Sequence, residues 1–492
     1  MTIQSIDYHA ILPVLILSGT ILIVLVTDLF LPARHKSASM WVALVGVLAT
    51  LVAVLSLIGQ GDRSTFGGSY VEDAFTIVFQ SFFMAAAAVV LLISYRYFRD
   101  GGFYQGEYYF LLLTSFLGCL LMPASRNLLM LFLALELVSA PGFLMAAFRK
   151  ADVKGNEGGL KFFLIGVLST AVMLYGMSLI YGLTGGKLQL NEVSAGLQTL
   201  TGAKQTLANA AILFVVVGFA FKVSAVPFQF WAPDTYEGAP VPVAAFLGAA
   251  SNTAGFAGLL QLMFVAFVHE YTFWVPIFAG LSLVTMTLGN LVALQQRQVV
   301  RLLSYSGIAQ AGYILLPFAL VTADPSINHS AFQAAVTYLL IYGIMTLGAF
   351  AVTTAISARH PRLQIDDFRG LAKTAPLLAT AMTVFMVSLA GVPPTGGFWA
   401  KLLIFQAGIQ RGGIGVLLAV AMVINSVISV GYYFLIPRAM IFEDAEEDER
   451  PFRSSVLVTA VVAVAMVALL VIFVVPNAIY RLGEVSSLAF GG

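Results

Sequence analysis

Residues 218–234 read GFAFKVSAVPFQFWAPD, and residues 389–405 read LAGVPPTGGFWAKLLIF. Each stretch sets one lysine, Lys222 or Lys401, among apolar residues and beside prolines that a helix cannot absorb without losing backbone hydrogen bonds. In the second, Pro393, Pro394, Gly396 and Gly397 must break any helix that carries Lys401. Val-Pro followed within a few residues by Phe-Trp-Ala occurs in both, about 167 residues apart. Broken apolar helices beside a buried charge are where membrane transporters place ion sites, so these two stretches point to a membrane fold.

Composition agrees. Of 492 residues, 60% are hydrophobic and 10% are charged, whereas water-soluble domains carry roughly a quarter charged residues. The 25 Lys and Arg nearly cancel the 24 Asp and Glu, which leaves no basic excess for a phosphate backbone and excludes nucleic acid as a partner. The single cysteine, Cys119, excludes an intrachain disulfide, a CxxC site and a cysteine-held iron–sulfur cluster. The five histidines, His9, His35, His269, His329 and His360, fall in loops or at span ends, so no pair is placed to ligate a haem within the bilayer. Neither GxGxxG nor GxxxxGK[ST] occurs, so nucleotide binding has no support and no cofactor is expected in this chain. The first apolar run is about 22 residues long with no Lys or Arg before it, unlike a signal peptide, and is expected to stay as a helix.

A bilayer core takes roughly 20 apolar residues of helix. By that measure fourteen spans are expected, near 10–31, 40–58, 74–94, 108–122, 128–148, 160–183, 208–231, 240–268, 273–294, 300–321, 330–356, 375–410, 413–436 and 455–475. The expectation is an all-α polytopic protein with one integral membrane domain over 1–492: three helices in 1–106, a first repeat in 107–268, a second in 273–436, and a last helix at 455–475. Loops after odd-numbered spans hold 17 cations and those on the other side, with both termini, hold six. The positive-inside rule then puts both termini outside. The acidic run EDAEEDE at 443–449 falls on the cation-rich side and reads first as a solvated loop, with partner docking as the alternative.

The two remaining cations, Lys222 and Lys401, lie within spans, as does Glu136 in LALELVSAPGF. A charge at the bilayer centre costs roughly 2.5–3.5 kcal/mol on insertion scales, so such groups are functional candidates by default. The bland reading of each is a structural ion pair or packing contact. A Glu136–Lys222 pair would trade a proton with small movements of either partner, and Ser139 is placed to help hydrate the carboxylate. Lys401 completes the set. Between the lysines, Ser251 and Asn252 on the eighth span and Ser304, Ser306 and Gln310 on the tenth are candidates for a lateral polar route, although such residues also glue helices together. The seventh and twelfth spans are five apart, and an odd offset reverses orientation. Spans four to eight and nine to thirteen are therefore expected to form inverted repeats with broken seventh and twelfth helices.

Four spaced motifs, ELVSAP (136–141), FKVSAVPFQFWAPDTYEGAPVPV (221–243), LVALQQRQVVRLLSYSGIAQAGY (291–313) and LAGVPPTGGFWAK (389–401), resemble the antiporter-like membrane subunits of respiratory complex I, the NADH-quinone oxidoreductase. The resemblance spans roughly 126–405, and a lysine rather than a glutamate at 401 is more similar to the N-type than to the M-type members. It implies that Glu136 and Lys222 are the family's paired carboxylate and lysine and that Lys401 is its terminal lysine. It also implies that FMN, iron–sulfur clusters and quinone belong to partner subunits. Two departures stand out: Asn252 and Gln310 occupy positions where relatives often carry a lysine and a histidine, and amides do not titrate. A relay past them needs water.

The function implied is that of a proton-translocating membrane-arm subunit coupled to quinone reduction elsewhere, in a bacterial inner membrane or its equivalent and beside other antiporter-like subunits. A cation/proton antiporter subunit without a redox partner shares the helix pattern and is the alternative. An inert scaffold would carry three buried charges at a cost and without use.

Overall fold

A chain with an apolar exterior must satisfy its backbone polar groups inside its own helices. The computed structural model, which describes residues 6–32, 35–101, 105–444 and 454–488, is built that way. Among these, thirteen helices are long and apolar enough to cross a membrane: Leu12–Phe30, Ala38–Leu55, Ala74–Asp100, Gly106–Ala124, Leu128–Ala146, Val153–Leu183, Ala203–Lys222, Val241–Ala266, Val268–Ala293, Val299–Leu320, Pro325–Ser357, Ile414–Phe442 and Val456–Val474. The stretch expected as a long twelfth span is two shorter helices, Pro376–Ala390 and Gly396–Arg411. This is the all-α polytopic architecture that the composition requires.

The seventh span ends earlier than expected. Its helix stops at Lys222, residues 223–230 are irregular, and a short helix Trp231–Gly238 completes it. Pro227 has no N–H to continue the ladder, so the break falls before it. Both breaks contain a cis peptide bond, Val226–Pro227 and Pro393–Pro394.

Among the described residues, several small elements carry no span-length apolar signal, the short helices Ile365–Phe368 and Leu371–Thr374 among them, and three more border the spans. Those three are an antiparallel hairpin of β1 (Arg63–Thr65) and β2 (Tyr70–Glu72), a short helix Leu190–Leu197, and a helix Asn477–Leu488 after the last span.

The spans are not equivalent. The eighth and eleventh are 100% and 94% buried over their apolar windows, against 28% and 22% for the first and last. Leu22, Phe30 and Val456 instead turn outward. The interior spans are where polar side chains can be held away from lipid. The eighth also carries π-helical turns at Leu247–Ser251 and Leu262–Ala266, on either side of the α-helical Asn252–Gln261. Such turns recur at functional sites. The ninth and tenth spans approach closely through Gly289, where a Cβ would stand 2.6 Å from the Ala309 nitrogen.

Loops sort by parity. Those after the second, fourth and sixth spans meet at one end, where Asn127 bridges to Gln189 and the Gln189 amide donates to the Gly67 carbonyl at 3.0 Å. At the other end Arg301 bonds Asp234 at 2.7 Å and Glu237 at 3.0 Å, while Lys154 pairs with Glu237 at 2.9 Å. Glu443 and Asp444 pair with Arg369 and Lys373 at 2.8 and 2.6 Å, and the rest of the acidic run, 445–449, lies outside the described residues.

Candidate functional site

Lys222 is the last residue of its helix and is 1% exposed. Its Nζ donates to Ser139 Oγ at 2.7 Å, and Ser139 in turn donates to the Leu135 carbonyl at 2.7 Å. The structure thus brings the fifth and seventh spans together at these residues, with the Lys222 ammonium bonded to the Ser139 hydroxyl. Ser139 serves the lysine, not the carboxylate. Glu136 lies one turn back on the same helix, close enough to attract the ammonium through space, and its Oε1 has no hydrogen-bond partner among the described residues.

The break beside Lys222 is pinned from several sides. The Val226 N–H donates to Thr285 Oγ1 of the ninth span at 3.0 Å, and the Trp231 indole N–H donates to the Phe221 carbonyl at 3.3 Å. The Trp231 ring stacks on Phe162 at 4.1 Å. Ser224 is held at a φ of 57°, a left-handed conformation costing of order 1–3 kcal/mol for a residue with a side chain. The Lys222 stem lies on the eighth span at Gly255, where a Cβ would stand 2.8 Å from its Cγ. Asn252, one turn earlier on that face, is buried.

Lys401 lies in the second half of the broken twelfth span and is 8% exposed. Its Nζ donates to the Ala390 carbonyl at 2.9 Å and stands 4.7 Å from the centre of the Tyr313 ring. Ala390 ends the preceding helix, whose free carbonyls and dipole favour a cation there. Gly391, at a φ of 83°, makes room: a Cβ would meet the Lys401 Cδ at 2.6 Å. Ser388 ties the two halves, its Oγ accepting from the Gly397 N–H at 3.0 Å. A cleft of about 380 Å³ lined by Lys401, Phe398, Phe405, Val423 and Val427 opens beside the ammonium.

Between the lysines lies a polar cluster. Both N–H bonds of Gln310 are engaged, to the Leu389 carbonyl at 3.0 Å and to the Tyr433 hydroxyl at 2.9 Å, and its carbonyl oxygen accepts from the Tyr338 hydroxyl. The Tyr433 hydroxyl also bonds Ser306 Oγ. Asn290 donates to Tyr313 at 2.9 Å and accepts from Tyr432 at 2.9 Å. Ser304 Oγ, also buried, has no partner among the described residues. The sequence reading picked out Ser306 and Gln310 but missed the tyrosines and Thr285. A signal was present: Tyr338 and Tyr342 stand four apart within one apolar span, and a buried tyrosine hydroxyl needs a partner.

The sequence profile of the NADH:quinone oxidoreductase/Mrp antiporter transmembrane family matches residues 125–429, which hold Glu136, Lys222, Lys401 and the polar groups between them except Tyr432 and Tyr433. The chain is 39% identical to NADH-quinone oxidoreductase subunit N 2 of Streptomyces griseus over 98% of this chain and 94% of that one. It is also 39% identical to subunit N of Trichlorobacter lovleyi, over 94% and 93% of the two chains. A chain of respiratory complex I from Thermus thermophilus with bound aureothin superposes with a TM-score of 0.78 and 32% identity, covering 95% of this chain and 98% of its own. A chain of the Mrp complex from Dietzia sp. shares the fold, with a TM-score of 0.85 at 18% identity. The chain therefore belongs to the NADH:quinone oxidoreductase/Mrp antiporter family of membrane subunits, as an antiporter-like subunit of the complex I membrane arm in an energy-transducing membrane.

Proposed function

We propose that this chain moves protons through Glu136, Lys222 and Lys401 when quinone is reduced in other subunits of a proton-translocating NADH:quinone oxidoreductase. FMN, iron–sulfur clusters and quinone sit in those partners on this reading. The observation that carries it is the way the two buried lysines are held. Lys222 rests on a hydroxyl and Lys401 on a backbone carbonyl, each beside a break in its span, rather than on a carboxylate. An ammonium without a paired carboxylate gives up its proton more readily than one locked in a buried ion pair, which suits a carrier better than a strut. Glu136, one turn from Ser139 with an unpartnered oxygen, is the group that draws the proton toward Lys222 or releases it.

The seventh and twelfth spans act as counterparts in two inverted repeats, spans four to eight and nine to thirteen. Support comes from matching Pro and Phe-Trp-Ala sequences, a break in each and one lysine beside each break. The cation distribution supports both termini lying on the outer, periplasmic side of a bacterial inner membrane.

The test is Lys222→Met in the assembled complex, in inverted membrane vesicles, with proton uptake measured against NADH oxidation. A fall in protons moved per electron pair is expected. Wild-type stoichiometry in an assembled variant defeats the proposal.

A further inference from the structure

Resting on that reading, we infer that the proton route between Lys222 and Lys401 runs through the hydroxyls of Tyr342, Ser306 and Tyr433 with intervening water, and bypasses the amides of Asn252 and Gln310.

The amides are poor carriers for a chemical reason. Neither titrates, and passing a proton through one requires it to become an imidic acid. Gln310 is also committed. Its two N–H bonds and its oxygen hold Leu389, Tyr433 and Tyr338 at once, so it fixes the cluster to the end of the helix before the twelfth-span break. A hydroxyl differs because its oxygen can take a proton on one side as its own leaves on the other.

The hydroxyls are placed in sequence. Lys222 lies along the eighth span at Gly255, one turn from Asn252. Tyr342, on the interior eleventh span, sets its hydroxyl beside Asn252 and Thr346. That hydroxyl fits a notch in the tenth span: a Cβ at Gly307 would stand 3.2 Å from it. The next residue back is Ser306, whose Oγ bonds the Tyr433 hydroxyl. Beyond Tyr433, Asn290 only holds Tyr432 and Tyr313 in place, accepting from the first and donating to the second, and the proton passes by water from the Tyr433 hydroxyl past the Tyr313 ring to Lys401. The five residues Tyr342, Ser306, Tyr433, Tyr432 and Tyr313 are all buried.

The step balances without an oxidant. An N–H bond of the Lys222 ammonium breaks and its proton passes to water. The Tyr342 oxygen gains a proton as its own O–H proton leaves toward Ser306, and each later hydroxyl does the same. A new N–H bond forms on a neutral Lys401 amine. One proton has moved and every hydroxyl is restored.

The experiment measures protons taken up per NADH oxidised in inverted vesicles, together with the solvent deuterium isotope effect on uptake. Tyr342→Phe keeps the ring and removes one oxygen, and Ser306→Ala removes the next oxygen with little change in volume. Each is expected to lower the ratio to the level of Lys222→Met, and Asn252→Lys added to Tyr342→Phe is expected to restore it by supplying a titratable group beside the lost hydroxyl. A merely structural tyrosine would not be rescued this way. Wild-type ratios and isotope effects in assembled Tyr342→Phe and Ser306→Ala, while Lys222→Met remains impaired, overturn this inference and leave the function standing. A wild-type ratio in Lys222→Met overturns both.

Discussion

The ammonium of Lys222 and the hydroxyl of Ser139 lie 2.7 Å apart, so the lysine that ends the seventh span's helix is bound to the fifth span through a neutral group. Hydrogen bonds to a charged group contribute about 1.5–3 kcal/mol. The Ser139 hydroxyl thus occupies the ammonium as a neutral partner, with Glu136 one turn away on the same helix. Ser139→Ala is therefore expected to let the two charges pair directly, slow proton release from Lys222 and lower the protons moved per electron pair several-fold relative to the chain's normal share. Ser139→Thr retains the oxygen and should keep the ratio. Equal pumping by the Ala and Thr variants would show that the hydroxyl does not compete for the ammonium.

The two breaks were legible in the sequence because proline and glycine act locally: whatever the tertiary setting, Pro227 and the run from Pro393 to Gly397 cannot continue a helix. The long apolar spans were legible for the same kind of reason, since length and composition alone decide them. Ser139 was noticed but assigned to the wrong partner, because which neighbour a hydroxyl serves depends on how two helices rotate against each other. The tyrosine cluster was missed on similar grounds. Tyr313, Tyr338 and Tyr433 come from three different spans, and an isolated tyrosine in an apolar run looks like core packing until its neighbours are known.

Gly397 is the tightest of the glycines at the twelfth-span break. A Cβ there would fall inside contact distance of the Ser388 carbonyl oxygen, and its N–H is the donor to Ser388 Oγ. Backbone blocks the space, so a flexible side chain cannot yield. Overpacking of this kind costs typically 1–3 kcal/mol and sometimes more. Gly397→Ala should reduce the amount of subunit in membranes several-fold by immunoblot, with Gly280→Ala as the control because its Cβ would meet nothing within 4 Å. Equal accumulation of the two variants would contradict the close approach.

Arg126 ties the end of the fourth span to its surroundings. It pairs with Asp73, the N-cap of the third span, and donates to Gln261 of the eighth and to the Pro123 carbonyl. The two side chains are 12% and 4% exposed, so the pair is shielded from solvent. Removing one partner strands the other charge, at a cost of about 3–5 kcal/mol. Arg126→Met should lower the thermal transition of the detergent-solubilised subunit clearly, while Asp73→Asn added to it should recover part of the loss. A double variant as unstable as the sum of the two singles would mean that the residues do not interact.

Glu72, in strand β2 next to Asp73, gives the fold a pH dependence outside the membrane-spanning segments. It is 1% exposed, and its Oε2 accepts from the Tyr70 hydroxyl at 2.9 Å. Burial raises its pKa from 4.5 to about 8, and the Asp73 charge adds to the rise, while hydrogen bonds from Tyr70 and Gln80 and the Arg126 charge pull it partly back. Between those two values the folded chain holds a proton that the unfolded chain has released, so folded stability falls as pH rises across that window and levels off above it. Thermal midpoints of the solubilised subunit should therefore decline from acid to mildly alkaline pH in the wild type. Glu72→Gln keeps the shape of the protonated carboxyl and cannot ionise, so its decline should be shallower over the same range. Parallel curves for the two proteins would show that Glu72 is not the group responsible.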